Sequence, residues 1–369
     1  MKGCENVSSL MTVKSQNFKE RNSNFELLRI ICIFGIVLMH ANGDFLNSCK
    51  GANLIYSELI NGIFNAGVSI FVLISGYFGI RSTKRKIIKL ELDIIFYSVL
   101  SSLVMCIING NISVTQLAKS FIPVSTGKYW FMTGYMILLV FSKYINQIVE
   151  QLDKKKLEKL LLLMFAVFSV IPTFLYFHVM KDDGKGIMNM LLLYLTGAYI
   201  RKYGKDHYKK SALIIGWFVA FSLSFIANTA LSFLMGGVGA KSPFSRDCSL
   251  FIIFEAVMVL LFFRELKLKS NKINNLAKHV VAVYMFERAV RALCLNYVFD
   301  YTVYADKFYW AFIEVIAVLI VIAICFVFDK VKVICLQNLE EKLTSLLENF
   351  WNVLSIKAGN LLCGFVKKS

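Results

Sequence analysis

Proline is scarce in this chain, with three residues in 369. Few helices therefore have to break. Paired discontinuous helices and repeated halves mark many transporters. The chain offers little from which to build the former, and no internal repeat is visible. Paired cysteines are lacking too. Nine cysteines are scattered (Cys4, Cys32, Cys49, Cys106, Cys248, Cys294, Cys325, Cys335, Cys363), mostly in apolar runs, without a CxxC pair or metal-ligand spacing. Neither a disulfide framework nor a zinc site is expected. The polar, basic start, residues 1–24, has no apolar segment of its own. The first apolar run is long enough to span a bilayer and is not followed by a small-residue cleavage site, so it reads as an uncleaved helix. There is no low-complexity linker and no appended soluble domain, so any catalysis would take place inside a membrane bundle.

Apolar residues are what the chain has in excess: 57% hydrophobic and 14% aromatic, in long runs, with a mean hydropathy of +0.62. That predicts an all-α, polytopic membrane bundle. Ten spans are expected, at about 25–46, 60–80, 87–109, 129–149, 158–178, 187–203, 211–235, 248–266, 277–298 and 308–329. The formal charge of +17 is explained by the bias of cytoplasmic loops toward Lys and Arg, not by nucleic acid. With the N-terminus inside and the spans alternating, the segments on the cytoplasmic side hold about 29 of the 41 Lys and Arg, against about 8 outside. Both termini are thus expected in the cytoplasm of a multi-pass cell-membrane protein. Residues 25–330 form the membrane domain, preceded by the arm 1–24 and followed by the tail 331–369. In the tail, Leu336, Leu339, Leu343, Leu346, Phe350 and Val353 recur at three-four spacing. This pattern predicts an amphipathic helix on the cytoplasmic membrane face, with coiled-coil self-association into a homo-oligomer as the alternative.

Ionisable groups within spans are costly and therefore informative. Arg29 and His40 both lie in the first span, eleven residues apart. Eleven residues at about 100° come to three turns plus roughly 20°, so the two share one helix face about 16 Å apart along the axis. Glu91 and Asp93 lie in the third span, Glu255 in the eighth, Glu287, Arg288 and Arg291 in the ninth, and Glu314 in the tenth. Glu287 and Arg291 are four apart and can pair as a structural staple. Any of Glu255, Glu287 and Glu314 could supply a carboxylate to orient His40. His178 and His207 read as incidental.

The Arg-x10-His pattern on the first helix resembles the membrane acyltransferase-3 family. Phe71-Val-Leu-Ile-Ser-Gly-Tyr-Phe78, with the basic loop Arg81–Lys89 after it, is similar to the end of that family's second helix. Tyr129-Trp-Phe-Met-Thr-Gly-Tyr135 is similar to the fourth helix of its polysaccharide-modifying members, and Ser242-Pro-Phe244 is a looser match. The likeness covers about residues 24–330. It implies an O-acyltransferase that passes an acyl group, acetyl above all, from acyl-coenzyme A to a cell-surface polysaccharide or its lipid-linked precursor. One position departs. Where the family often carries a histidine in the ninth helix, this chain reads Val283-Tyr-Met-Phe-Glu287. His279 lies earlier, near the cytoplasmic end, and is not assumed to take its place.

The chemistry of the residues fits that resemblance. A neutral imidazole, ordinarily with a pKa near 6.5, suits removal of a hydroxyl proton, a contribution of about 10²–10⁴-fold. His40 is thus the expected general base. Arg29 would grip a phosphate or polarise the thioester, because its fork stays charged and fits phosphate oxygens. The bland reading makes Arg29 a snorkelling anchor and His40 part of an interior hydrogen-bond network. Arg81 and Arg85 could hold coenzyme A phosphates, although topology alone explains their charge. Tyr129 and Trp130 could stack on an acceptor sugar or belong to the interfacial aromatic belt. The alternatives to an enzyme are a glycan or lipid transporter or flippase, and a non-catalytic sensor on the same scaffold. The absent ninth-helix histidine favours the sensor.

Overall fold

Small polar residues decide where the apolar runs begin as helices. Side-chain oxygens of Asn22, Thr83, Asp153 and Ser270 each accept a first-turn N–H of the helix that follows and so satisfy donors that have no intrahelical partner. The computed structural model describes residues 21–44, 52–175, 180–234 and 243–366, and all its regular elements are helical, with no strand among the described residues. In chain order they are α1 (Ser23–Asn42), α2 (Ala52–Phe64), α3 (Gly67–Phe78), α4 (Lys84–Asn109), α5 (Val114–Ser120) and α6 (Trp130–Gln151). Then come α7 (Lys154–Phe165), α8 (Ile171–Phe174), α9 (Ile187–Tyr203), α10 (Lys210–Leu234), α11 (Leu250–Arg264), α12 (Asn271–Leu276), α13 (Val280–Leu293) and α14 (Trp310–Val366). Most of the arm, Ser242 and His178 lie outside the described residues.

Six helical segments among the described residues are long and apolar enough to cross a membrane: Ser23–Asn42, Ile55–Phe78, Lys84–Asn109, Lys154–Phe174, Lys210–Leu231 and Trp310–Ser355. The other four expected spans fall on helices as well. Of these, α9, α11 and α13 are 17, 15 and 14 residues long, while α6 carries Lys143, Asn146 and Gln147 in its second half. The second span is interrupted between Phe64 and Gly67. The fifth contains a π-helical turn, Ala166–Val170, just before Pro172, whose missing N–H disturbs the hydrogen-bond ladder.

The tail differs from its expected form. It does not start a new helix but continues the tenth expected span, within one helix of 57 residues. No proline interrupts Trp310–Val366, and its glycines, Gly359 and Gly364, come only near the end. Glu341 pairs with Arg85 and, at 3.1 Å, with Lys89, while Glu348 lies 3.3 Å from Arg85.

The first helix is the axis of the bundle. Its apolar window is 61% buried, against 22–44% for the other five candidate spans. Phe25, Leu28 and Cys32 enter a core shared with α3, α9 and α11. Ile33, Val37, Leu38 and Ala41 enter a second core, shared with α4, α13 and α14. The basic segments gather at one end of this bundle. The Asn24 side chain accepts from Leu268 N at 2.8 Å, Lys202 donates to the carbonyls of Val149 and Leu152, and Arg264 donates to that of Lys205 at 2.7 Å. The Asn146 amide donates to Ile80 O at 2.9 Å beside the Arg81–Lys89 loop. The alternating topology expected from the sequence calls for that convergence.

Close approach of α3 and α9 depends on two glycines. A Cβ at Gly76 would meet the Tyr194 carbonyl, and one at Gly197 would meet the Leu73 carbonyl. Backbone contact of this kind is how membrane helices gain dispersion energy. Gly76→Val and Gly197→Val should each destabilise the protein by about 1–3 kcal/mol through overpacking. The double variant should cost less than the sum, because one separation of the helices relieves both clashes. Thermal unfolding in detergent measures this, and additive losses would show the two contacts to be independent.

Candidate active site

One face of α1 carries Arg29, Ile33, Ile36 and His40 at four-three-four spacing, so the four side chains are stacked along the helix. Arg29, at the basic end, is partly exposed and lies 2.8 Å from Glu26 one turn earlier. Arg21 approaches the same carboxylate at 3.6 Å.

At the other end, His40 Nδ1 lies 2.8 Å from Glu287 Oε1. An ionised carboxylate only accepts, so Nδ1 carries the proton and donates it, leaving Nε2 as the basic nitrogen. The His40 side chain is 44% exposed whereas Glu287 is 3% exposed: the ring can be reached, but its anchor cannot. The second oxygen of Glu287 accepts from Arg291 Nε at 3.2 Å. Arg291 in turn pairs with Asp44, which accepts from the Tyr301 hydroxyl at 3.2 Å. His40, Glu287, Arg291, Asp44 and Tyr301 thus form one chain of contacts joining the last turn of α1 to α13 and the 301–304 turn.

Between Arg29 and His40 lies an apolar cleft of about 40 Å³, lined by Ile33 and Ile36 of α1, Phe71 of α3, Phe131 and Met132 of α6, and Tyr284 of α13, among others. Further rings pack on two of its wall residues, Phe131 and Tyr284. Tyr135 lies close enough to feel the charge of Arg29 and stacks on Phe131 at 6.1 Å. Phe131 meets Tyr284 at 5.6 Å, and Tyr284 meets Tyr129 at 6.3 Å, close to Glu287. Trp130 packs against Phe131 and has Lys185 over its ring at 5.8 Å. In the adjacent loop, the Lys128 amine donates to the Ser98 carbonyl and the Ser102 hydroxyl at 2.7 Å each. Burial and the charge of Arg288 push its pKa down to about 8.

The three carboxylates offered as partners for His40 are thereby distinguished by position. Glu255 is fully buried in α11, and neither of its oxygens has a hydrogen-bond partner among the described residues. Glu314 is buried beside Tyr56. Glu287 alone of the three contacts His40. It is also the residue at which the chain departs from the family pattern, so a carboxylate partner for the first-helix histidine stands where a second histidine was expected. In the basic loop, Arg85 is engaged by the tail and Arg81 is exposed.

A second histidine–carboxylate pair was not anticipated. His279 Nδ1 lies 2.6 Å from Asp329 Oδ2, and Asp329 also accepts from the Tyr97 hydroxyl. Fifty residues separate the pair, so only the packing of α14 against the start of α13 reveals it. His207 lies 3.2 Å from Glu265 at the basic end, remote from the cleft in the fold. Among the described residues no group of three or more His, Cys, Asp or Glu could hold a metal ion.

Residues 22–330 match a protein family described as an acyltransferase domain. No curated protein and no solved structure matches the chain.

Glu287 and Arg291 hold each other in the interior, with side chains 3% and 9% exposed. Glu287→Leu leaves Arg291 with Asp44 as its remaining counter-charge and should cost about 1.5–3 kcal/mol, seen as a lower melting temperature and reduced folded yield. Glu287→Leu with Arg291→Met should recover part of that loss. Unchanged melting of the single variant would show that the pair does not carry the packing of α1 on α13.

Proposed function

The chain belongs to the acyltransferase 3 family, and on that premise we propose that it transfers an acyl group, acetyl in our reading, from acyl-coenzyme A to a hydroxyl of a cell-surface polysaccharide or its lipid-linked precursor. Acyl-coenzyme A is a co-substrate, so no resident cofactor is needed. One observation supports this reading above the rest. A cation, a narrow apolar cleft and a carboxylate-held histidine follow one another along a single face of α1.

In the proposed step, His40 Nε2 takes the proton of the acceptor hydroxyl as its oxygen attacks the thioester carbonyl. The C–S bond breaks, coenzyme A leaves as thiolate, and the proton returns to that sulfur. The products are the O-acyl ester and free coenzyme A. Glu287 keeps the imidazole in the tautomer whose Nε2 is basic and supports the positive charge that develops on it, as a third group does for other catalytic bases. Arg29 faces the donor from the basic end, which we take to be cytoplasmic. Its contact with Glu26 at 2.8 Å fixes the guanidinium while leaving other N–H groups for a phosphate or the thioester oxygen. Tyr129 and Trp130 border the acceptor side, where rings can stack on a sugar. The protein then spans the cell membrane with both termini on the donor side.

His40→Ala should lower transfer of labelled acetyl from acetyl-coenzyme A by about 10²–10⁴-fold, while the protein stays inserted. Glu287→Gln keeps the shape but not the charge, and should reduce kcat by about tenfold or more with KM little changed, as expected for an interaction realised in the transition state. Wild-type transfer by His40→Ala would end this mechanism. Purified protein that moves glycan or lipid across vesicles without making an acetyl ester would be a transporter.

A further inference from the structure

At the basic end of the bundle, a cavity of about 330 Å³ opens between the end of α9, the loop that follows it and the end of α11. This is within the size range of small-molecule sites. Arg201, Lys205, Arg264 and Lys267 line it, against the carboxylates of Asp206 and Glu265. Glu265 is already committed, at 2.9 Å from Arg264 and 3.2 Å from His207. Arg264 is spent as well, on Glu265 and the carbonyls of Lys205 and Asp206. Arg201, Lys205 and Lys267 have no carboxylate in ion-pair contact among the described residues. By contrast, Arg85 and Lys89 of the neighbouring basic loop are tied to Glu341 and Glu348. Three cations without a carboxylate partner around a concavity make a site for a multiply charged anion.

The cavity adjoins the start of α1. Tyr77, one of its walls, carries Arg201 over its ring at 5.3 Å and stacks on Phe25 at 5.2 Å. Leu266, another wall, accepts from the Asn24 side chain. Phe25 is four residues, about 6 Å of helix, from Arg29.

We propose that this cavity receives the phosphates at the nucleotide end of the acyl donor, an assignment that rests on the acyl-coenzyme A reading above. From there the slender arm of the donor passes Arg29, enters the apolar cleft and brings its thioester toward His40. The Arg201 fork binds phosphate oxygens in pairs, while Lys205 and Lys267 act as point charges. Phosphate chemistry of the same kind is presented by anionic lipid headgroups, and the experiment separates the two sources.

The full chain is reconstituted in nanodiscs of phosphatidylcholine alone, and unacylated coenzyme A is titrated by calorimetry. Arg201→Gln/Lys205→Gln should raise Kd by about ten- to a hundredfold and raise KM for acetyl-coenzyme A with kcat retained, because binding and not chemistry is lost. Lys267→Gln should show a smaller rise. Both side chains of the double variant are exposed, and an unchanged melting temperature confirms that it folds. If the double variant binds coenzyme A as the wild type does and turns over at wild-type KM, the cavity assignment falls while the acyl-coenzyme A reading stands. If it instead loses only the thermal protection given by added phosphatidylglycerol, the cavity is a lipid-headgroup site. A wild-type protein that neither binds coenzyme A nor consumes acetyl-coenzyme A removes both the donor reading and the assignment built on it.

Discussion

A histidine near the end of an apolar helix serves as a base only if its ring is held, and the group that holds it must itself be compensated. Burying an unpaired carboxylate costs several kcal/mol. Glu287 avoids this because Arg291 lies one turn further along the same helix, and Arg291 is balanced on its other side by Asp44. Asp44 closes the circuit, since it stands two residues past the end of α1, the helix that carries His40. The pairing thus does two jobs at once. It sets which imidazole nitrogen is basic, and it fixes where α1 sits against α13. Glu255 illustrates the contrast: it is buried just as deeply but, among the described residues, neither of its oxygens has a hydrogen-bond partner.

The position of α1 between two apolar cores makes this circuit specific. One core grips its first half and the other its second, so a rotation of the helix would pull side chains out of both. Glycines let the neighbours come close. Gly35 lies against the Phe64 ring, and a Cβ on Gly67 would lie 3.3 Å from the Ile36 side chain and 3.5 Å from the Cys32 carbonyl. Interiors are bistable rather than continuously deformable, so a well-packed α1 keeps Arg29, the cleft and His40 in register along a single line.

Much of this was legible in the residues because the relevant signals are local. Helix faces follow from a fixed angle per residue, so the shared face of Arg29 and His40 needed no structure. Long apolar runs marked the helices, and loop charge predicted which segments share an end. The partner of His40 was not legible. Glu255, Glu287 and Glu314 are each one acidic residue in an apolar helix, and choosing between them depends on packing across 247 residues of chain. The Glu287–Arg291 spacing signalled a staple and was silent on the histidine. The His279–Asp329 contact, the cavity beside Tyr77 and the unbroken run of α14 into the tail are tertiary outcomes of the same kind. The tail went astray for a simpler reason. Amphipathic periodicity says which face is apolar, whereas only a breaker says where a helix ends, and none stands between the tenth span and the tail.

The cleft's lining bears on what kind of function the arrangement can serve. The cleft, about 40 Å³, is walled by Ile33, Ile36, Phe71, Phe131 and Tyr284 and has no polar lining to replace a sugar's hydration, which a sugar passage would need. In the proposed reaction the apolar stretch between Arg29 and His40 would keep water from the reacting carbonyl, which matters when the competing reaction is hydrolysis. Two reactants approaching from opposite ends of α1 and meeting at its histidine, as proposed, would use every feature of that face: the cation at the charged end, the apolar middle and the anchored imidazole beyond it. The acyl transfer proposed above is the reading that draws on all three.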